Sequence, residues 1–349
     1  MIIKSRGDGE MEYQQMIENA KKCIGPYCKV CPVCNGIACK NKIPGPGAKG
    51  VGDVAVRNYQ KWQDIRVCMD TLTEQRNVDT QIEIFGKTFA FPFFAAPVGS
   101  IKLHYGEKYS DREYDAIVVD GCAKNGIAAF VGDGPNPDMM LGGLDAVRQA
   151  AGIGIPTIKP WDMQTIKEKM QLVKKTGAFA VAMDIDAAGL PFLQNQNPPA
   201  GSKSIEQLKE IAQMVDVPFI LKGIMTPKAA LKAMEAGAAA IVVSNHGGRV
   251  LDQCLSTAEV LPSIVEAVNG NIKVLVDGGI RSGVDIFKAL ALGADAVMLA
   301  RPFVTAVFGG EKEGVELLVK KLGNELVDTM KMCGAYSLTD INKEMVSYL

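Results

Sequence analysis

From about residue 90 onward one pattern recurs eight times: a short apolar run, a turn rich in Gly, Asp or Pro, then a helical stretch with apolar residues three and four apart. The runs are Phe91–Ala96, Ile127–Val131, Ile153–Ile158, Phe179–Ile185, Val217–Leu221, Ala239–Val243, Ile272–Val276 and Ala296–Ala300. Helices are predicted between them, among others over Asp111–Asn125, Asp162–Lys175, Ser204–Met214, Pro227–Ala236, Thr257–Asn269 and Gly283–Leu292. Pro227 follows Thr226 as a first helical residue follows its cap. Runs that are apolar throughout suit parallel strands covered on both faces, and eight such units close into a (β/α)8 TIM barrel. A doubly wound open sheet is the alternative. The expected organisation is a helical, cysteine-rich N-terminal extension and linker over 1–89, then the barrel with C-terminal helices over 90–349.

The charges narrow the function. With 38 Lys+Arg against 39 Asp+Glu the net charge is −1, which argues against a nucleic-acid partner. The start, Met1 to Gly9, is polar, and no apolar run reaches the roughly 18 residues of a membrane span. A cytoplasmic protein is therefore expected.

A barrel of this kind carries its chemistry at the C-terminal ends of its strands. There the seventh unit supplies Asp277-Gly278-Gly279-Ile280-Arg281-Ser282-Gly283, and the eighth Ala300-Arg301. Glycines let backbone N–H groups approach a phosphate, a helix N-terminus adds positive potential, and two arginines add charge. A phosphate-bearing cofactor is the expected occupant. The sixth unit supplies His246, one of two histidines, then Gly247, Gly248 and Arg249. Imidazole can take a proton near neutral pH and guanidinium can hold a carboxylate by two hydrogen bonds, a pairing that suits a small carboxylic acid. His104 lacks such company and reads as structural. Lys222 ends the fifth run and requires an anionic partner; Asp184 and Asp186 end the fourth in alternation, so one of the two is expected to face inward.

The stretch Ser244–Asp252, with Asp277–Gly283 and Lys288–Ala294, resembles the FMN-dependent α-hydroxy-acid oxidase/dehydrogenase family, to which glycolate and lactate oxidases belong. The likeness is dense over 217–303 and thinner over 90–200. It implies FMN-dependent oxidation of a small L-2-hydroxy acid, lactate-like, to the 2-oxo acid, with an electron acceptor of unknown identity and a homotetrameric or octameric assembly. Carried over, His246 is the base, Arg249 pairs the substrate carboxylate, Lys222 stabilises the reduced flavin and Asp186 supports the histidinium. Asp277, Gly278, Gly279, Arg281, Ala300 and Arg301 hold the phosphate and ribityl chain; Pro97, Val98 and Gly99 lie against the flavin ring, with Ser244 and Gly247 beside it. Where the family reads Gln-x-Tyr the chain has Lys159-Pro160-Trp161, so Lys159 stands for a flavin-contacting amide and Trp161 for a substrate phenol. The family's Gly-Arg-Arg stretch is replaced by Ala187-Ala188-Gly189-Leu190-Pro191, which removes a second carboxylate-binding arginine. A type 2 isopentenyl-diphosphate isomerase-like FMN enzyme, and a flavin or metal electron-transfer or sensing module without turnover, are the competing readings.

Cys23, Cys28, Cys31, Cys34 and Cys39 crowd into seventeen residues just before a glycine-rich linker, with no histidine nearby. In a cytoplasmic chain such spacing suggests thiolate ligation of zinc or an iron–sulfur cluster, or else a knuckle of reduced thiols. This extension could also supply a cover for the active site.

Overall fold

Each of the eight apolar runs forms one strand of a single parallel sheet, the fifth strand continuing three residues past the end of its run. In a computed structural model that describes residues 11–197 and 199–348, the strands are β1 (Phe93–Ala95), β2 (Phe130–Val131), β3 (Ile155–Ile158), β4 (Val181–Asp184), β5 (Phe219–Ile224), β6 (Ala240–Val243), β7 (Lys273–Val276) and β8 (Ala296–Leu299). Each pairs with its successor in parallel from β2 to β8, and β8 pairs with β1 through Val297–Phe93 and Leu299–Ala95. The remaining seam, β1 to β2, is closed by a parallel bridge between Ala95 and Ala129 and an Ala95 N–H bond to the Ala128 carbonyl at 3.1 Å. The sheet is therefore a barrel, and the open-sheet alternative falls. The polar start at Met1 to Gly9 lies outside the described residues.

The helices between the strands begin where their caps dictate. Ser110, Ser204 and Ser256 each accept from the backbone three residues on, while Glu113, Gln207 and Glu259 reach back to close a capping box. Thr226 caps the helix Pro227–Glu235 from its hydroxyl, with proline at the first turn as expected. Uncovered by any of the helical stretches above is the segment Arg301–Met332, two helices that meet at a kink at Glu311 (φ +51°), whose first residue stands at the mouth of the barrel.

The extension is packed onto the barrel rather than standing apart. Helix Tyr13–Cys23 lies so close against Arg301–Met332 that a Cβ on Gly309 would meet the Met16 carbonyl oxygen at 2.1 Å. Strand Ile65–Val67 pairs antiparallel with Val346–Tyr348, tying the extension to the C-terminal segment. The hairpin Ile82–Ile84 and Lys87–Phe89 plugs the barrel floor with Phe89, edge-on to Phe94 at 5.0 Å between ring centroids. Among the described residues no helix is long and apolar enough to cross a membrane.

Candidate active site

The phosphate end is built by backbone that only glycine tolerates. After β7 the chain turns through Gly278 and Gly279 at φ +89° and +88°. A Cβ on Gly279 would sit 2.0 Å from the Asn58 carbonyl oxygen, on the extension helix Asp53–Asp64. The first helix of Arg301–Met332 starts here, so its positive terminus faces this space, whereas the start of Gly283–Ala291 is met by Ser282 and Glu325. Arg281 is held by the Cys34 carbonyl at 2.9 Å and by the Ile280 carbonyl at 2.6 Å, which leaves its Nη2 buried and without a partner. Arg301 likewise has a buried, unpartnered Nη1. Two charged donors left unmet in one cavity call for an anion.

At the centre, the register of the sheet pairs Asp184 of β4 with Lys222 of β5. Lys222 Nζ lies 3.0 Å from Asp184 Oδ1, and Lys159, just beyond β3, reaches Asp184 Oδ2 at 2.5 Å. The anionic partner that buried Lys222 requires is thus Asp184. Both aspartates converge on His246, contrary to the alternation argument: its Nδ1 is 3.1 Å from Asp186 Oδ1 and 3.5 Å from Asp184 Oδ1. The reason is that β4 ends at Asp184 and the chain coils immediately into the 3-10 turn Ile185–Gly189, so the two-residue period stops applying. Room for Asp186 comes from a bulge in β5 at Gly223, where a Cβ would meet the Asp186 Cβ at 2.5 Å.

The electrostatics split the two carboxyls. Burial opposes ionisation of Asp184, but His246, Lys159 and Lys222 outweigh it and hold it well below the carboxylate range. Burial and the neighbouring charge of Asp184 push Asp186 upward, above that range. Burial also drives His246 well below its ordinary value, leaving it neutral at rest. Its Nδ1 faces the ionised Asp184 as well as Asp186, and the tautomer that directs Nδ1–H at Asp184 leaves the Nε2 lone pair unprotonated.

His104 is the residue that sequence reasoning misplaced: it lines the same pocket as His246 and Arg249. Its Nδ1 accepts the Gly45 N–H at 2.9 Å, so in the neutral ring the proton sits on Nε2. Burial and the charge of Arg249 lower its pKa to about 3, keeping the ring neutral. Nε2 faces Arg249 Nη2 at 3.3 Å, which sets two donors against each other with no acceptor between them. Arg249 Nη1 is occupied by the carbonyls of Gly45 and Gly47. The extension therefore reaches the site, and Gly45 and Pro46 form part of the pocket wall.

Comparison with known proteins agrees with this arrangement. The FMN-dependent dehydrogenase family matches residues 46–197 and 192–348. The chain belongs to that family. It is 31% identical over 337 residues to the 4-hydroxymandelate oxidase of Amycolatopsis orientalis, covering 86% of this chain and 93% of that one. It is 30% identical over 341 residues to the L-lactate dehydrogenase of Actinobacillus pleuropneumoniae serotype 5b (strain L20), covering 82% and 88%. A solved mandelate oxidase variant with bound 3,3,3-trifluoro-2,2-dihydroxypropanoic acid superposes with a TM-score of 0.74 at 27% identity, covering 85% and 90%.

The cofactor of this FMN-dependent dehydrogenase fits the residues present. Pro97, Val98, Gly99, Lys159, Lys222, His246, Gly247, Asp277, Gly278, Gly279, Arg281, Ala300 and Arg301 all line one continuous pocket, with Arg249 at its far end. The unpartnered Arg281 and Arg301 donors suit the phosphate, and the unpartnered Thr157 Oγ1 and Asp277 Oδ1 suit the polar parts of the group. Arg301→Gln is expected to weaken FMN binding roughly 10- to 150-fold, the worth of one hydrogen bond to a charged group. Fluorescence titration of the apoprotein with FMN checks this.

Three expectations need correction. Trp161 does not line the pocket: its indole N–H is drawn into the wall by Asp133 Oδ2 at 2.7 Å, since a buried N–H needs an acceptor. Ser244 lies beneath the pocket, accepting the His246 backbone N–H at 3.1 Å, and so shapes the turn rather than touching the cofactor. The five cysteine sulfurs are not gathered on one point. Among the described residues the one group of three or more metal-capable ligands within 4.8 Å of one another is Asp184, Asp186 and His246, already engaged by two lysines. Cys23 turns away to the carbonyls of Asn19 and Phe308, each at 3.4 Å.

Proposed function

We propose that this enzyme oxidises a small L-2-hydroxy carboxylate, lactate-like, to the 2-oxo acid. The observation that carries the reading is the pair of histidines presented to one pocket in opposite states, His246 with a free lone pair and His104 with a free N–H beside Arg249. Arg249 Nη2 and His104 Nε2–H converge as two donors on one point, which a carboxylate oxygen fills. His104 thereby takes the place of the phenol and second arginine that the chain lacks. His246 Nε2 accepts the proton that leaves the hydroxyl or α-carbon, and the resulting imidazolium faces the ionised Asp184. Asp186 positions the ring through Nδ1. Lys222 presents a cation where negative charge develops on reduction. FMN, when bound, supplies the two-electron sink.

The deciding experiment is an anaerobic visible spectrum before and after adding L-lactate. Bleaching of the flavin bands is the expected result; bands that persist with lactate and with other short L-2-hydroxy acids would sink the assignment. His104→Ala is expected to raise KM for the hydroxy acid about ten- to hundredfold with a smaller change in kcat, because one charge-assisted donor to the carboxylate is lost. Steady-state kinetics on a series of 2-hydroxy acids measures it.

The reading also takes the protein to be cytoplasmic and a homotetramer or octamer.

A further inference from the structure

Behind the phosphate end of the cofactor pocket lies a second cavity of about 360 Å³. Four of the five clustered thiols, Cys28, Cys31, Cys34 and Cys39, line it, and Cys23 does not. Its charged lining is one-sided: Lys21, Lys29, Lys321, Arg281 and Arg301 border it, with no carboxylate among the described lining residues. Arg281 and Arg301 border the cofactor pocket as well, so the two spaces share a wall. Arg281 also fixes the cysteine loop directly, through its bond to the Cys34 carbonyl.

A cavity with cationic walls and four thiols is built for a group that binds thiolates and stays net negative when bound. A single tetrahedral zinc fits poorly, because ligands at about 2.3 Å from one ion stand about 3.8 Å apart. No three cysteine sulfurs among the described residues come within 4.8 Å of one another. In a four-iron cluster each thiolate binds a different iron, so the sulfurs stand further apart around a larger body. The spacing Cys28-x2-Cys31-x2-Cys34-x4-Cys39 supplies four such ligands from one short loop.

We propose that Cys28, Cys31, Cys34 and Cys39 ligate an iron–sulfur cluster in this cavity, against the phosphate end of the FMN site. This assignment is independent of which hydroxy acid is oxidised. Burial pushes Cys28 up to about 11 and raises Cys39 as well, whereas the Arg281 and Arg301 charges outweigh burial at Cys34 and lower it.

The test uses the FMN-loaded protein, purified without oxygen and incubated with ferrous iron and sulfide, with a parallel sample given zinc alone. Iron and acid-labile sulfide are measured per FMN, so that misfolded chains do not count. Both are expected to bind in comparable amounts and to leave a broad brown absorption after dithionite-free bleaching of the flavin by substrate. Cys31→Ser and Cys34→Ser should each lose iron and sulfide together while keeping FMN, and Cys23→Ser should lose neither. Binding of zinc or iron without sulfide, or no metal at all in the wild-type holoprotein, would overturn the proposal. So would serine variants that keep a full complement of iron and sulfide.

Discussion

His246→Gln is expected to slow anaerobic flavin bleaching by L-lactate by about 10²- to 10⁴-fold, the usual worth of a positioned general base. Glutamine can still donate to Asp186 from its amide, so the 3.1 Å contact and the packing of the turn are retained while the proton acceptor is lost. Flavin absorbance should stay near one per chain, which separates lost chemistry from lost cofactor. The pH profile adds a second check. Burial lowers the pKa of His246 in the folded protein, so the ring is a competent base from neutral pH down to well below its ordinary value of about 6.5. Activity of the wild type should therefore fall only as the pH drops through that depressed value. An acid limb centred at or above pH 6.5 would mean that some other group, or a solvated imidazole, accepts the proton.

The barrel was legible because its strands are covered on both faces. Each needs an uninterrupted apolar run, and each run is followed by a turn and a helix, so seven of the eight strands fall inside the predicted segments and the fifth, Phe219–Ile224, runs three residues past Val217–Leu221. The residues just beyond the strand ends were legible for a related reason: a (β/α)8 barrel leaves its C-terminal loops free for polar groups, and Lys222, His246, Arg249, Arg281 and Arg301 all meet in that space. Periodicity failed where regular structure stops. Asp184 and Asp186 share one histidine because the strand becomes a 3-10 turn between them, and no two-residue rule reaches across that change.

His104 and Trp161 show a different limit. His104 sits on the short helix Ile101–Tyr105 with no local motif, and its role depends on Gly45, which is 59 residues away in sequence. Only the fold brings the glycine linker over the barrel mouth. Trp161 stands at a position where an aromatic side chain was expected to meet substrate, yet the carboxylate of Asp133, 28 residues earlier, captures its N–H and turns the ring into the wall. Side-chain direction at such positions is set by the nearest buried partner, which sequence spacing does not encode.

Replacement of Lys222 by methionine is expected to lower the rate of flavin reduction by about 10²- to 10³-fold, as removal of a single preorganised charge does elsewhere, with little change in substrate affinity. The asymmetry follows from where the cation stands. Lys222 is 3% exposed and fixed by Asp184 and, at 3.8 Å, by Asp277, so it has no freedom to follow a substrate. It acts on charge that develops between ground state and transition state, and that difference is what sets kcat. The variant should still fold, because Asp184 keeps Lys159 at 2.5 Å and is not left as a bare buried anion. Lys159→Met provides the contrast. It leaves Asp184 paired to Lys222, preserves the cation of the proposed mechanism, and should cost less than Lys222→Met in single-turnover reduction. If the two variants slowed reduction equally, the lysines would be acting merely as counter-ions to Asp184, and the specific role of Lys222 in stabilising developing charge would be lost.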